Sequence, residues 1–130
     1  MSIDTKQSTA NAMLDLFDTL FPAGSILEIR TGAPAGAEAA AGGTLLASIT
    51  LPATPWSAAA AGVKSKNGTW ADVGVAAGNA AHYRLKNAGD TERVEGTVTE
   101  SGGGGDAIIA NENIDIGQPV PITSFTYAIP

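Results

Sequence analysis

A mainly β chain, arranged as an antiparallel β-sandwich or jelly roll behind one short N-terminal α-helix, is the fold this sequence predicts. Three observations carry the prediction. Short stretches alternate apolar and polar residues at spacings of roughly 8–14 residues. Clusters of Gly, Pro, Asn and Asp punctuate them. Only one segment, ahead of Pro22, repeats its apolar residues at helical steps. The chain has 130 residues, the length of one domain, enough to bury about 68% of the surface its unfolded form exposes. The reading divides it into a helical segment, residues 1–24, and a β-sandwich, residues 25–130.

In the helical segment Ala10, Met13, Leu14, Phe17, Leu20 and Phe21 recur at three- and four-residue steps, with Asp15 and Asp18 off that face. Ser8 or Thr9 can cap the start, and Pro22 and Gly24 stop the run. A helix of about a dozen residues is marginal alone in water. Its stripe must therefore dock, on its own domain or on a neighbour.

Beyond Gly24 the period becomes two. Ser25 to Arg30 sets Leu27 and Ile29 against Glu28 and Arg30, a half-buried strand. Residues 32–43 are almost all Ala, Gly and Pro, a long loop expected to be mobile or ordered by a partner. Thr44 to Leu51 forms the next strand, with Leu45, Ala47, Ile49 and Leu51 on one face; Pro52 and Pro55 close it. Trp56 to Ala71 mixes an Ala run with Gly62 and Asn67-Gly68, and reads as loops and short strands.

The second half is more regular. Ala80 to Lys86 places Ala81, Tyr83 and Leu85 opposite His82, Arg84 and Lys86. Asn87 to Asp90 supplies turn residues, and Arg93 to Thr99 alternates again, so the two runs read as a hairpin. The Gly102–Gly105 run is expected to be a flexible tip. Ala107 to Ala110 is a short buried strand, Gly117 a turn, and Ile122 to Ile129 a last strand with Phe125, Tyr127 and Ile129 on one face.

Composition narrows the chemistry. Thirteen acidic residues against seven Lys or Arg give a net charge of −6. Phosphate backbones demand clustered cations, and only Lys64/Lys66 and Arg84/Lys86 are close, so no nucleic-acid partner is expected. The N-terminal Met1-Ser2-Ile3-Asp4-Thr5-Lys6 is not the start of a secretory signal, and no stretch approaches the ~18 apolar residues of a membrane span. Synthesis in the cytoplasm with no membrane partner is the expectation.

Cysteine is absent and His82 is the single histidine, which disfavours zinc. His82 reads as a surface residue on the polar face of its strand. Asp90, Glu92, Asp106, Glu112 and Asp115 read as solvated turn carboxylates; Glu95 and Glu100 lack the aromatic cleft of a glycosidase. The glycine run lacks the Lys-Ser/Thr of a phosphate loop. Neither a catalytic residue nor a metal or cofactor is expected. Trp56 and Trp70 suit either a core or an interface anchor. With Met13, Phe17 and Phe21 they are the candidate partner contacts.

Several segments carry a resemblance: Leu27-Glu28-Ile29-Arg30-Thr31-Gly32, Gly43-Thr44-Leu45-Leu46-Ala47, Ala81-His82-Tyr83-Arg84-Leu85, Glu95-Gly96-Thr97-Val98, and Ile116-Gly117-Gln118-Pro119-Val120 followed by Ile122 to Tyr127. Over roughly four-fifths of its length the chain resembles small virion structural proteins of tailed bacteriophages. The resemblance implies a β-sandwich head decoration or cement protein on the capsid surface, bridging capsomers as a trimer or other symmetric oligomer. Its partners would be other copies of itself and the major capsid protein. A tail or fibre component touching tail proteins or a host receptor is the alternative. A carbohydrate-binding β-sandwich presenting Trp56 and Trp70 is a third reading.

Overall fold

The computed structural model describes residues 4–128. Two short helices, α1 (Gln7–Leu14) and α2 (Phe17–Leu20), precede ten strands: β1 (Ile26–Arg30), β2 (Leu45–Thr50), β3 (Val63–Ser65), β4 (Ala71–Val73), β5 (Gly78–Asn79), β6 (His82–Lys86), β7 (Arg93–Thr99), β8 (Ala107–Ile109), β9 (Asn113–Ile114) and β10 (Pro119–Ala128). The chain is mainly β, with the helical segment in front. The main sheet runs β2-β1-β6-β7-β8-β10-β3, with β4 also on β10, and β5 pairs with β9. It curls until the Val75 N–H donates to Leu46 O, 2.8 Å away on edge strand β2. The result is one curled sheet in which the expected all-antiparallel pairing fails at one place: β7 and β8 run parallel through Val98–Ala107 and Thr99–Ile108.

The glycine run makes that parallel contact. A Cβ on Gly103 would lie 2.6 Å from Thr99 Cβ, and one on Gly105 would lie 2.8 Å from Thr97 O. The Gly105 N–H donates to Thr99 Oγ1 at 3.0 Å. Residues 102–105 are thus a tight return, ordered by main-chain packing that only glycine allows, where the sequence suggests a flexible tip.

Strand β10 organises the second half, pairing with β4 through Pro119–Pro121, with β8 through Ile122–Phe125 and with β3 through Thr126–Ala128. A register shift between Ile122 and Ser124 changes the buried parity. Val120 and Ile122 face inward before it, and Phe125 after it. The strand therefore starts three residues earlier than the alternation from Ile122 predicts. Ile129, expected on the same face as Phe125, lies outside the described residues.

Inside the curl all seven aromatic residues of the chain form one connected cluster. Tyr83 meets Phe125 at 5.0 Å, Phe125 meets Trp70 at 5.4 Å, Trp70 meets Trp56 at 4.9 Å, and Trp56 meets Phe17 at 5.2 Å. Phe17 also touches Phe21 and Tyr127. Most contacts are edge-on or tilted, the arrangement ring quadrupoles favour. The Trp56 indole N–H donates to Phe21 O at 2.9 Å, so its polar atom is satisfied within the core.

The helical segment docks on its own sheet through Ala10, Leu14, Phe17 and Phe21. It begins at Gln7, with Lys6 in the capping position and no side-chain cap, instead of at Ser8 or Thr9. Gln7, Ser8 and Thr9 are exposed, so the first turn's free N–H groups need no partner from the chain. The helix divides at Asp15, whose half-exposed carboxylate accepts from the Ala59 N–H at 2.8 Å and from Lys64 Nζ at 2.8 Å. Asp18 pairs with the same ammonium at 3.2 Å. Lys64 is completely buried, its stem in the core and its charge held by two acids.

Candidate functional site

Five residues marked in the sequence as partner contacts divide sharply. Phe17, Phe21, Trp56 and Trp70 are buried within the chain's own aromatic cluster. Met13 is 51% exposed, and with Leu16 (56%) and Leu20 (37%) it lines the outside of the helical segment. Spacings of three and four residues put these three on one stripe, about a quarter turn round from the stripe that docks inward, so Met13 and Leu20, expected on the docking stripe, lie at its exposed edge. Leu16 was missed because it falls outside the first stripe. With both indoles buried, the exposed aromatic platform on which a carbohydrate-binding reading depends does not exist among the described residues.

His82 is wholly buried, not a surface residue. Its Nδ1 lies 2.8 Å from Gly32 O. A carbonyl only accepts, so Nδ1 carries the proton. The Nε2 atom is buried without a hydrogen-bond partner. The loop of residues 32–43, expected to be mobile or held by a partner, is held here by its own chain, Gly32 at its start bonding His82. Arg84 is the centre of this arrangement. Its Nε donates to Glu95 Oε2 at 2.7 Å, and its Nη2 to Gly36 O at 3.1 Å and Ala39 O at 2.7 Å. Glu95 Oε1 accepts from the Gly36 N–H at 2.7 Å, Arg93 Nη1 donates to Ala37 O, and Arg30 Nη1 donates to Gly42 O.

Strand register explains the set. Arg84 lies opposite Glu28 on β1 and Glu95 on β7, and His82 lies opposite Arg30 and Thr97. The predicted polar face is real, but a loop made of backbone covers it. Loop carbonyls take up the guanidinium protons, Gly36 O accepting from the Ala39 N–H as well. Burial pushes the Glu28 carboxyl up, but bonds from Arg30 and Lys86 more than offset it and hold it below the ordinary range. On the opposite face of β6 the Tyr83 hydroxyl donates to Asp106 Oδ2 at 3.3 Å. Burial, then the carboxylate beside it, raises the phenol above its usual range. Gly96 leaves room for this pair: a Cβ there would sit 2.6 Å from the Tyr83 oxygen.

A second surface lies where β8 and β10 part. Ile109 still pairs with Ile122, but Ala110 and Asn111 leave the sheet while β10 continues back to Pro119. Between them is a groove of about 320 Å³ lined by Ile109, Ala110, Asn111, Gln118, Pro119, Val120 and Pro121. Its far wall continues into exposed Ala71 and Val73, which stand opposite Pro121 and Pro119. The sequence offered Pro119 and Pro121 as its signal for this groove. Among the described residues no cluster of three or more His, Asp or Glu is placed to hold a metal ion, and no helix is long and apolar enough to cross a membrane. No family model matches the chain, and no curated protein or solved structure is significantly similar to it.

Proposed function

We propose that this chain is a non-catalytic assembly protein that works by covering and being covered, specifically a virion component that decorates or cements the head of a tailed bacteriophage. The observation that carries the reading is the helix. One stripe already anchors it to the core, yet Met13, Leu16 and Leu20 form a second, uncommitted one. Large apolar side chains grouped on a surface are the usual mark of a protein contact. The buried, loop-covered His82 supports the same reading, since a general base must reach a substrate. The segments resembling phage structural proteins supply the particle. A stable contact buries roughly 800 Å² per partner, with a few apolar anchors dominating. Many copies on a symmetric shell then strengthen one another through effective concentration.

Light scattering of the purified protein and co-sedimentation with expanded phage heads test the reading. A trimer or other closed oligomer, or head binding that saturates, is expected, and Leu16→Asp should abolish at least one of them with an unchanged circular dichroism spectrum. A monomer indifferent to heads overturns the reading.

A further inference from the structure

We propose that Asn67-Gly68 is a self-modifying site, an asparagine that loses ammonia to become aspartate or isoaspartate, and that the fold sets when it reacts. The inference is independent of the assembly reading.

The residue types come first. In this reaction the next main-chain nitrogen attacks the side-chain amide of asparagine, and glycine puts no side chain in its way. Asn67 is the only asparagine followed by glycine; Asn11, Asn79 and Asn87 precede Ala, Asn111 precedes Glu and Asn113 precedes Ile. Asn67, Gly68 and Thr69 are all exposed, so solvent base and water reach the reacting atoms. Among the described residues nothing accepts from the Gly68 N–H, so the nucleophile breaks no bond in order to react.

The chemistry needs only solvent. Base takes the Gly68 amide proton, the nitrogen adds to Asn67 Cγ, and Nδ2 leaves as ammonia, closing a cyclic imide. Water then opens the ring. Breaking the new N–Cγ bond gives aspartate. Breaking the original peptide bond gives isoaspartate, whose main chain runs through the former side chain.

Held against this is a clamp. Asn67 Nδ2 donates to Thr54 O at 2.9 Å, and the Asn67 N–H donates to Pro55 O at 2.7 Å. The Asn67 carbonyl accepts from the Trp70 indole N–H at 3.1 Å, and Trp70 is completely buried. Lys66 Nζ donates to Gly68 O at 2.8 Å. These bonds fix the side-chain and main-chain torsions that govern the approach of Gly68 N to Asn67 Cγ. Ring closure expels Nδ2, so the bond to Thr54 O cannot survive it. Turning the peptide plane takes the acceptor away from a buried indole, which is costly. The amide is therefore kept while the clamp is shut and lost when it opens.

The change runs one way. A carboxylate cannot donate, so the product sets a negative charge against Thr54 O where an N–H had been. Isoaspartate also moves the carbonyl that the Trp70 indole uses. Trp70 meets Trp56 at 4.9 Å and Phe125 at 5.4 Å, so a clamp that cannot reclose loosens the aromatic cluster at its centre.

Folded protein kept warm at mildly alkaline pH, then digested and read by mass spectrometry with fragmentation that separates isoaspartate, tests the inference. Asn67 should convert ahead of every other asparagine, yet about tenfold or more slowly than in the urea-unfolded chain, the ratio that two net hydrogen bonds set. Trp70→Phe keeps a ring but deletes the indole N–H, and should speed conversion about fivefold, the ratio of one such bond. Converted protein should show redder tryptophan emission. If Trp70→Phe does not fold, wild type in urea below its unfolding midpoint replaces it, and conversion should rise with each step. Another asparagine converting first, equal rates in the folded and unfolded chains, or emission unmoved by conversion would each overturn the inference. So would a folded Trp70→Phe no faster than wild type, or conversion that stays flat below the midpoint.

Discussion

The outer face of β1, β6 and β7 and the groove between β8 and β10 both border irregular chain, yet they are finished in opposite ways. On the first, Arg84 and Glu95 are 5% and 4% exposed, and residues 32–43 lie over them with carbonyls aimed at the guanidinium. On the second, two of the wall residues are prolines without N–H groups, and no charged residue is among those that line the cleft. Charge that serves the fold is paired and capped. The groove, by contrast, is left open and uncharged.

The comparison can be broken most forcefully at Arg84. Arg84→Ala leaves Glu95 buried without its cation and releases two loop carbonyls, and should cost about 3–5 kcal/mol. Urea denaturation reads the loss, and hydrogen exchange should show residues 32–43 opening first. Unchanged protection of that loop would mean that Arg84 does not hold it. Gly96→Ala drives a methyl group against Tyr83 and Asp106; a loss of about 1–3 kcal/mol is expected from overpacking, checked by the same titration. Lys64→Met keeps the apolar stem but deletes the bonds to Asp15 and Asp18. A smaller loss of about 1 kcal/mol is expected, with helix exposure following by limited proteolysis.

Acid should distinguish the two regions without mutation. Lys64, then the Ala59 N–H, hold Asp15 below the usual carboxyl value, and Arg93 does the same for Asp90. Glu28 is lowered too, its bases prevailing over burial. A carboxyl whose folded pKa is depressed stabilises the fold fully above its unfolded value, near pH ~4, and loses that contribution as pH falls through the folded value. Midpoints in urea should therefore hold from neutrality down to about pH 5 and decline below pH ~4. The smallest effect belongs to exposed Glu112, next in the chain to the groove residue Asn111: Glu112→Gln keeps an oxygen to accept from the Glu100 N–H and should move stability by no more than about 0.5 kcal/mol. A large loss there would make the exchange of main-chain bonds between Glu100 and Glu112 part of what holds the fold and erase the contrast.

Much of this was readable from residue order. Periodicity located the docking stripe through Ala10, Leu14, Phe17 and Phe21 but also placed Met13 and Leu20 on it, which are exposed; the alternation through Tyr83 and Leu85 located a strand and its partner across Asn87 to Asp90. Alternation states which residues share a face, but not what lies over that face. His82 and Arg84 therefore read as solvent-facing, although a loop nearly devoid of polar side chains covers them through its main chain. Strand direction is equally silent in a two-residue period, which concealed the parallel join of β7 and β8. The groove escaped for a third reason. Pro119 and Pro121 look like a strand's end, yet each sits where a missing N–H costs the ladder nothing.

The seven-ring cluster also sets an order of events during synthesis. Phe17, near the start, rests 5.0 Å from Tyr127, which belongs to the last strand. While a ribosome still holds that strand, the first helix has been made but lacks part of its seat. Its apolar side chains must wait, accessible to chaperones or to neighbouring nascent chains, until translation has delivered the far end.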